Sequence, residues 1–111
     1  MKRGEVWTVA GGPDYAGRPR PAVVLQDDAF DATRSVTVCP LTSSDGDFKV
    51  TRPPVEPSEE NGLRVKSRLM VDKITTVSRL KIHQQIGRLS SGDVTRMNRA
   101  VFVFLGLGSN R

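Results

Sequence analysis

Helical periodicity enters this chain only near its C-terminus; before that, strand-like segments follow one another with no regular helix between them. Gly4–Ala10 (GEVWTVA) reads as a first strand, and Pro21–Gln26, with its aliphatic centre, as a second that is buried on both faces. Ser35–Leu41 (SVTVCPL) alternates and reads as a third, with Pro40 near its end. Phe48–Thr51, Ser67–Val71, Ile74–Val77 and Gln85–Leu89 supply further short extended pieces. Asp27–Thr33 offers one helical turn, and PPVEPSEENG breaks regular structure. Such a succession predicts a mainly β chain of five to seven antiparallel strands, bent into a partial barrel and closed by one helix. The 111 residues fit a single domain spanning 1–111.

The closing helix carries its own information. Ser90 and Ser91 ahead of Asp93 form a capping pattern. Val94, Met97, Val101, Phe104 and Leu105 fall on one face, and Gly106 and Gly108 offer a C-terminal stop. From Ala100 onward the helix is apolar almost all round, through Val101, Phe102, Val103, Phe104 and Leu105. A helix apolar on two sides is buried on two sides. One side can pack on the sheet, and the other predicts a homodimer.

Charge is unevenly placed. Net charge is +5, yet Arg64–Arg99 holds nine Lys or Arg against two acids, +7, leaving −2 for the remainder. A basic half of that kind attracts polyanions, because each cation placed at a phosphate releases a condensed counterion; the plainer alternative is a solvated face. No apolar run reaches membrane-spanning length, and MKRGEVW lacks the apolar stretch of a secretory signal. The single cysteine cannot form an internal disulfide. A soluble, cytoplasmic protein with no membrane partner is expected.

Much chemistry is absent. The one histidine, His83, leaves no two-histidine acid–base pair and no multi-histidine metal site, and no HExxH, CxxC or Walker-type loop occurs. No metal or cofactor is expected. Cys39 lies inside a strand pattern and reads as a core residue, a Cys39–His83 nucleophile pair being the alternative. What remains is arginine and hydroxyls at strand ends. In RPRPAVVLQ, Arg18 and Arg20 precede the second strand; in CPLTSS, Thr42 and Ser43 follow the third. If the two strands pair antiparallel, Arg20 and Thr42 meet at one rim, where a guanidinium beside hydroxyls makes an anion site. Pairing of Arg20 with Asp45 or Asp47, with Thr42 and Ser43 as turn residues, is the alternative.

KRGEVW, AGRPRPAVVLQ, SVTVCPLTSS, SRLMVDKITTVSRLKI and IGRLS ahead of an apolar helix, in that order over nearly the whole chain, closely resemble the MazF/PemK (Kid) family of toxin endoribonucleases. The most specific pieces are Arg20-Pro21, Pro40–Ser43 and Val71–Thr76. The resemblance implies a small SH3-like barrel of the kind shared with CcdB gyrase poisons. It implies a homodimer and metal-independent cleavage of single-stranded RNA at short sequences, an mRNA interferase activity. It also implies an antitoxin partner whose acidic, poorly ordered tail lies over the active groove. Carried over by motif, Arg20 and Thr42 become the catalytic pair. Two departures stand out: Lys73 and Thr75 occupy positions where members often carry glutamine, then arginine or lysine, and the first loop has Asp14 and Tyr15 but no histidine.

On this reading RNA supplies its own nucleophile, the 2′-hydroxyl, and Arg20 stabilises charge on the phosphoryl oxygens. Arg18, Ser43, Lys66, Arg68, Lys73, Arg79 and Lys81 are the expected substrate contacts, with Trp7, Tyr15, Phe30 or Phe48 available to stack a base and Trp7 assigned more readily to the core. A CcdB-like gyrase poison, or a barrel that binds nucleic acid without cutting it, is the rival reading; the RP and LTS motifs speak against the first.

Overall fold

The computed structural model describes residues 1–11, 18–44, 46 and 50–109. Among them are seven strands, β1 (Glu5–Val9), β2 (Arg20–Val24), β3 (Ser35–Thr42), β4 (Pro54–Val55), β5 (Ser67–Leu69), β6 (Thr75–Ser78) and β7 (Ile82–Arg88), and one helix, α1 (Ser91–Phe104). The strands form a curled antiparallel half-barrel in the order β4-β5-β3-β2-β1-β7, with β6 also paired to β3. β3 holds it together: β2 takes one edge, while β6 takes the other at Ser35–Val38 and β5 takes it at Leu41–Thr42.

β2 is buried on both faces, as its unbroken aliphatic run predicts: Ala22, Val23 and Val24 are all inaccessible. Alternation along the β2–β3 ladder therefore feeds two cores. Val23, Cys39 and Leu41 point into the larger one, with Val6, Val55, Leu69, Val71, Leu89 and Met97. Ala22, Val24, Val36 and Val38 point the other way, with Val9, and Trp7 packs half-buried on that smaller cluster. Trp7 Nε1 donates to Glu5 Oε1 at 3.1 Å, which satisfies its one polar atom.

Several boundaries differ from the sequence expectation. The expected strand at Phe48–Thr51 lies partly outside the described residues, and Val50 and Thr51 form a turn. The short strand is instead Pro54–Val55, inside the proline-rich stretch expected to lack one; an edge position tolerates Pro54. Extended structure after Ser67 ends at Leu69, because Val71–Lys73 tightens into a 3-10 turn.

The helix begins where the capping pattern places it. Ser90 Oγ accepts from the Asp93 N–H at 3.1 Å. It stops at Gly106, whose φ of +68° is left-handed, with Gly106 N–H donating to the Val103 carbonyl and Leu107 N–H to Phe102. The buried face differs from the expected one. Met97 and Ala100 are buried, with Val94 and Val101 beside them, whereas Phe104 and Leu105 remain exposed. The helix lies over the Val71–Lys73 turn and its last turn runs past it. Phe102, Val103, Phe104, Leu105 and Leu107 consequently form an exposed apolar surface.

Candidate active site

Antiparallel pairing of β2 with β3 runs Val24–Val38, Val23–Cys39, Ala22–Pro40. Continued two residues beyond the paired stretch, this register brings Arg20 and Thr42 to the same end of the ladder. Both line a cleft of about 240 Å³ whose floor is the edge of the smaller core, Val9, Ala22, Val38 and Val77, and whose rim carries Lys73 and Thr75. The even-numbered positions that are valine and alanine within the ladder thus become Arg20, Pro40 and Thr42 at its end. Pro40 has no N–H to donate, and its carbonyl accepts from Met70 N–H at 2.8 Å, which draws the 69–73 segment in beside Thr42.

Thr42 Oγ1 accepts from the Ser44 N–H at 3.1 Å and makes no other side-chain hydrogen bond among the described residues, so its hydroxyl proton is available to a ligand. On its far side Thr42 pairs with Arg68 of β5. Arg68 Nη1 donates to the Arg52 carbonyl at 2.9 Å, and Arg52 forms a two-pronged ion pair with Asp72 at 2.9 and 3.0 Å. That pair is mostly shielded, with side chains 12% and 20% exposed. The Arg52 guanidinium holds the Asp72 carboxyl below its ordinary range. Asp72 sits in the 3-10 turn, so the ion pair fixes the turn that presents Lys73 to the cleft.

A second cleft, about 570 Å³, opens on the opposite face of the same ladder end, lined by Leu41, Ser43, Arg64, Val65, Gln84 and Ile86 among others. Arg20 and Pro21 line both clefts. No acidic residue lines either one among the described residues. A guanidinium shared by two hollows whose described linings carry no acid suits an anion such as a phosphate.

The sequence-predicted contacts divide. Arg20, Thr42 and Lys73 share the first cleft, and Arg20 and Ser43 the second. Lys81 is exposed and lines neither cleft; its carbonyl accepts at 2.8 Å from the N–H of Ala10, which lines the first. Arg18 is exposed at the entry to β2. Lys66 lines neither cleft and lies 3.8 Å from Glu56. Arg68 is half-buried behind Thr42. Arg79 lies elsewhere: Nε and Nη2 donate to the carbonyls of Thr33 and Asp31 at 2.8 and 2.6 Å, pinning the β2–β3 connection. Sequence reasoning missed Arg64 and Gln84; alternation along β7 would have placed Gln84 on the cleft face. Of the base-stacking candidates, Phe30 is exposed, Trp7 is half-buried, and Tyr15 and Phe48 lie outside the described residues, as do Asp14, Asp45 and Asp47. Burial pushes the Cys39 thiol up to about 12, and His83 is exposed on β7, so the two do not form a nucleophile pair. No group of three or more His, Cys, Asp or Glu converges among the described residues.

Residues 2–105 match the family described as PemK-like, MazF-like toxins of type II toxin–antitoxin systems. The chain belongs to that family. A probable endoribonuclease MazF of Mycolicibacterium smegmatis is 48% identical over 107 residues, covering 96% of this chain and 98% of the relative. Kinship therefore sets this PemK/MazF chain among the MazF-type endoribonucleases. Its half-barrel superposes on an endoribonuclease solved in complex with its cognate antitoxin from a mycobacterial species, with a TM-score of 0.80, 21% identity and 96% of each chain covered. It also superposes on the Mycobacterium tuberculosis toxin MazF-mt6, with a TM-score of 0.77, 22% identity and 92% and 96% coverage. At those identities the two superpositions speak for the PemK/MazF fold.

Proposed function

We propose that this toxin cuts single-stranded RNA at Arg20 and Thr42, using the RNA's own 2′-hydroxyl as nucleophile and no metal ion. The observation that carries the reading is that Arg20 and Thr42 line one cleft at the end of the β2–β3 ladder, with no acidic residue in its described lining. Arg20 grips two phosphoryl oxygens, and its hold strengthens as charge gathers on them in the transition state. The Thr42 hydroxyl donates to the phosphate or orients the 2′-hydroxyl. The 2′-oxygen forms its bond to phosphorus as the bond from phosphorus to the 5′-oxygen breaks. The 2′-proton is lost to a base, and the departing 5′-oxygen gains one. The products are a 2′,3′-cyclic phosphate and a 5′-hydroxyl. A guanidinium is too weak an acid to lead the proton transfer, so its part is electrostatic. DNA, which lacks the 2′-hydroxyl, binds and stays whole.

The protein works as a homodimer in this reading, with the exposed apolar end of α1 as the surface covered by the second copy. Its other partner is an antitoxin with an acidic tail suited to the same positive clefts, and its place of action is the cytoplasm. No helix of the described residues is long and apolar enough to cross a membrane.

The test is incubation of the pure protein with long single-stranded RNA in excess EDTA, beside Arg20→Ala. Cuts at a recurring short sequence with cyclic-phosphate ends are expected, with Arg20→Ala slowed about 10²- to 10³-fold, the typical effect of removing one transition-state donor. Intact RNA from the wild-type protein would move the reading to a gyrase poison or a non-cutting binder.

A further inference from the structure

Most arginines with assigned contacts are committed to the fold: Arg3 to the Leu25 carbonyl and Asn98, Arg52 to Asp72, Arg68 to a carbonyl, and Arg79 to two. Arg64 differs. It is exposed, lines the second cleft, and makes no hydrogen bond or ion pair among the described residues. The side-chain amide of Gln84, across the same cleft, is equally without a partner among the described residues. Only its backbone is engaged, with N–H donating to Thr8 Oγ1 at 3.2 Å. Arg64 and the Gln84 amide therefore face a hollow that Arg20 and Ser43 also line, with Leu63, Val65 and Ile86 as its apolar wall.

That hollow is preformed. Asn61, 2% exposed, ties the 56–63 loop into one piece: its Oδ1 accepts from the N–H groups of Ser58 and Leu63 at 3.0 and 2.9 Å, and its Nδ2 donates to the Glu56 carbonyl at 2.8 Å. The loop is then pressed onto β7. A Cβ at Gly62, where φ is +71°, would stand 2.0 Å from the Ile86 carbonyl oxygen, and one at Gly87 would stand 2.4 Å from the Glu60 oxygen. The Arg88 N–H closes the contact on the Glu60 carbonyl at 2.8 Å. Loop and strand meet backbone to backbone, so the spacing between Arg64 on one and Gln84 on the other is fixed by the fold.

We infer that the second cleft is a nucleotide subsite flanking the cut, in which Arg64 holds the neighbouring phosphate and Gln84 reads the base. This rests on the endoribonuclease reading and deepens it. Arg20 lines both hollows, so a phosphate at Arg20 has the first cleft on one side and this subsite on the other. A volume of about 570 Å³ accommodates one nucleotide. Apolar walls flank the base, and an amide presents a donor and an acceptor side by side, as base edges require.

Two probes test it: an RNA oligonucleotide with a 2′-deoxy residue at the cut, which binds without being cleaved, and an ordinary long RNA. Arg64→Ala should weaken binding of the uncleavable probe about tenfold and lower the slope of log Kd against log salt by about 0.7, the single-strand value for one phosphate contact. Arg64→Lys should restore the slope. In sequenced cleavage products, Gln84→Ala should erase a base preference of about 5- to 150-fold at one position beside the cut, leaving preferences elsewhere in place. Binding by Arg64→Ala within twofold of wild type with an unchanged salt slope, or an unaltered preference in Gln84→Ala, overturns the subsite. If the wild-type protein binds the uncleavable probe but leaves ordinary RNA intact, the nuclease reading falls, and the Arg64→Ala binding still decides the subsite.

Discussion

Replacing Asp72 with Asn removes one charge and almost no volume from behind the first cleft. In the wild type, both carboxylate oxygens of Asp72 accept from Arg52, at 2.9 and 3.0 Å, with side chains only 20% and 12% exposed. Fully exposed pairs are worth up to about 1 kcal/mol, and breaking a buried one costs about 3–5 kcal/mol. A mostly shielded, two-pronged pair falls between, so Asp72→Asn should lose about 2 kcal/mol, leaving the Arg52 guanidinium half-satisfied. The sign with pH follows from the direction of the shift. Asp72 has its carboxyl held low in the folded protein, so its contribution is present above the ordinary carboxylate range and disappears as pH falls through the folded-state value. Urea denaturation of both proteins at pH 7 and at steps down toward pH 3 measures it. The gap between the two midpoints should narrow steadily toward the acid end. A gap below about 0.5 kcal/mol at pH 7, or one that keeps its size at the lowest pH, would refute the view that this ion pair fixes the turn.

Met97→Ala empties a fully buried position at the centre of the larger core and should cost about 2–5 kcal/mol by the same denaturation. Cys39, buried with its thiol pushed up to about 12, should resist alkylating reagents at pH 8 in the native protein and react only once denaturant unfolds it. Phe102→Glu places a charge on the exposed apolar end of α1, where Phe102 is 51% accessible. Light scattering should report a dimer for the wild type and a monomer for the variant, and a variant that stays dimeric would put the interface elsewhere.

Fold features were legible wherever one residue type admits a single structural solution. The aliphatic run of β2 announced burial on both faces, and Ser90 with Gly106 bracketed the helix. The expectation that Arg20 and Thr42 share one rim rested on an antiparallel pairing of β2 with β3, which is the pairing found, and both residues line the first cleft. What the sequence concealed depended on distant partners. Pro54–Val55 is a strand only because β5 lies beside it. Arg79 looked like a free cation, and the carbonyls that occupy it lie 46 and 48 residues away. Phe104 and Leu105 continued the helix's apolar stripe, but how far the underlying turn extends cannot be read from periodicity. The second cleft needed the 56–63 loop laid against β7, a contact signalled in the sequence only by Gly62 and Gly87.

β3 bonds to three neighbours at once, and it carries Thr42 at its end. Its central amides cannot meet solvent by peeling off one strand, because both edges are occupied. Local openings that expose termini and loops bypass such a segment, leaving it to exchange only when the whole domain unfolds. The Thr42 hydroxyl, which shares the first cleft with Arg20, is thus mounted on the strand that is last to come apart. Fluctuations elsewhere in the barrel leave its position standing, and its lifetime is that of the fold itself.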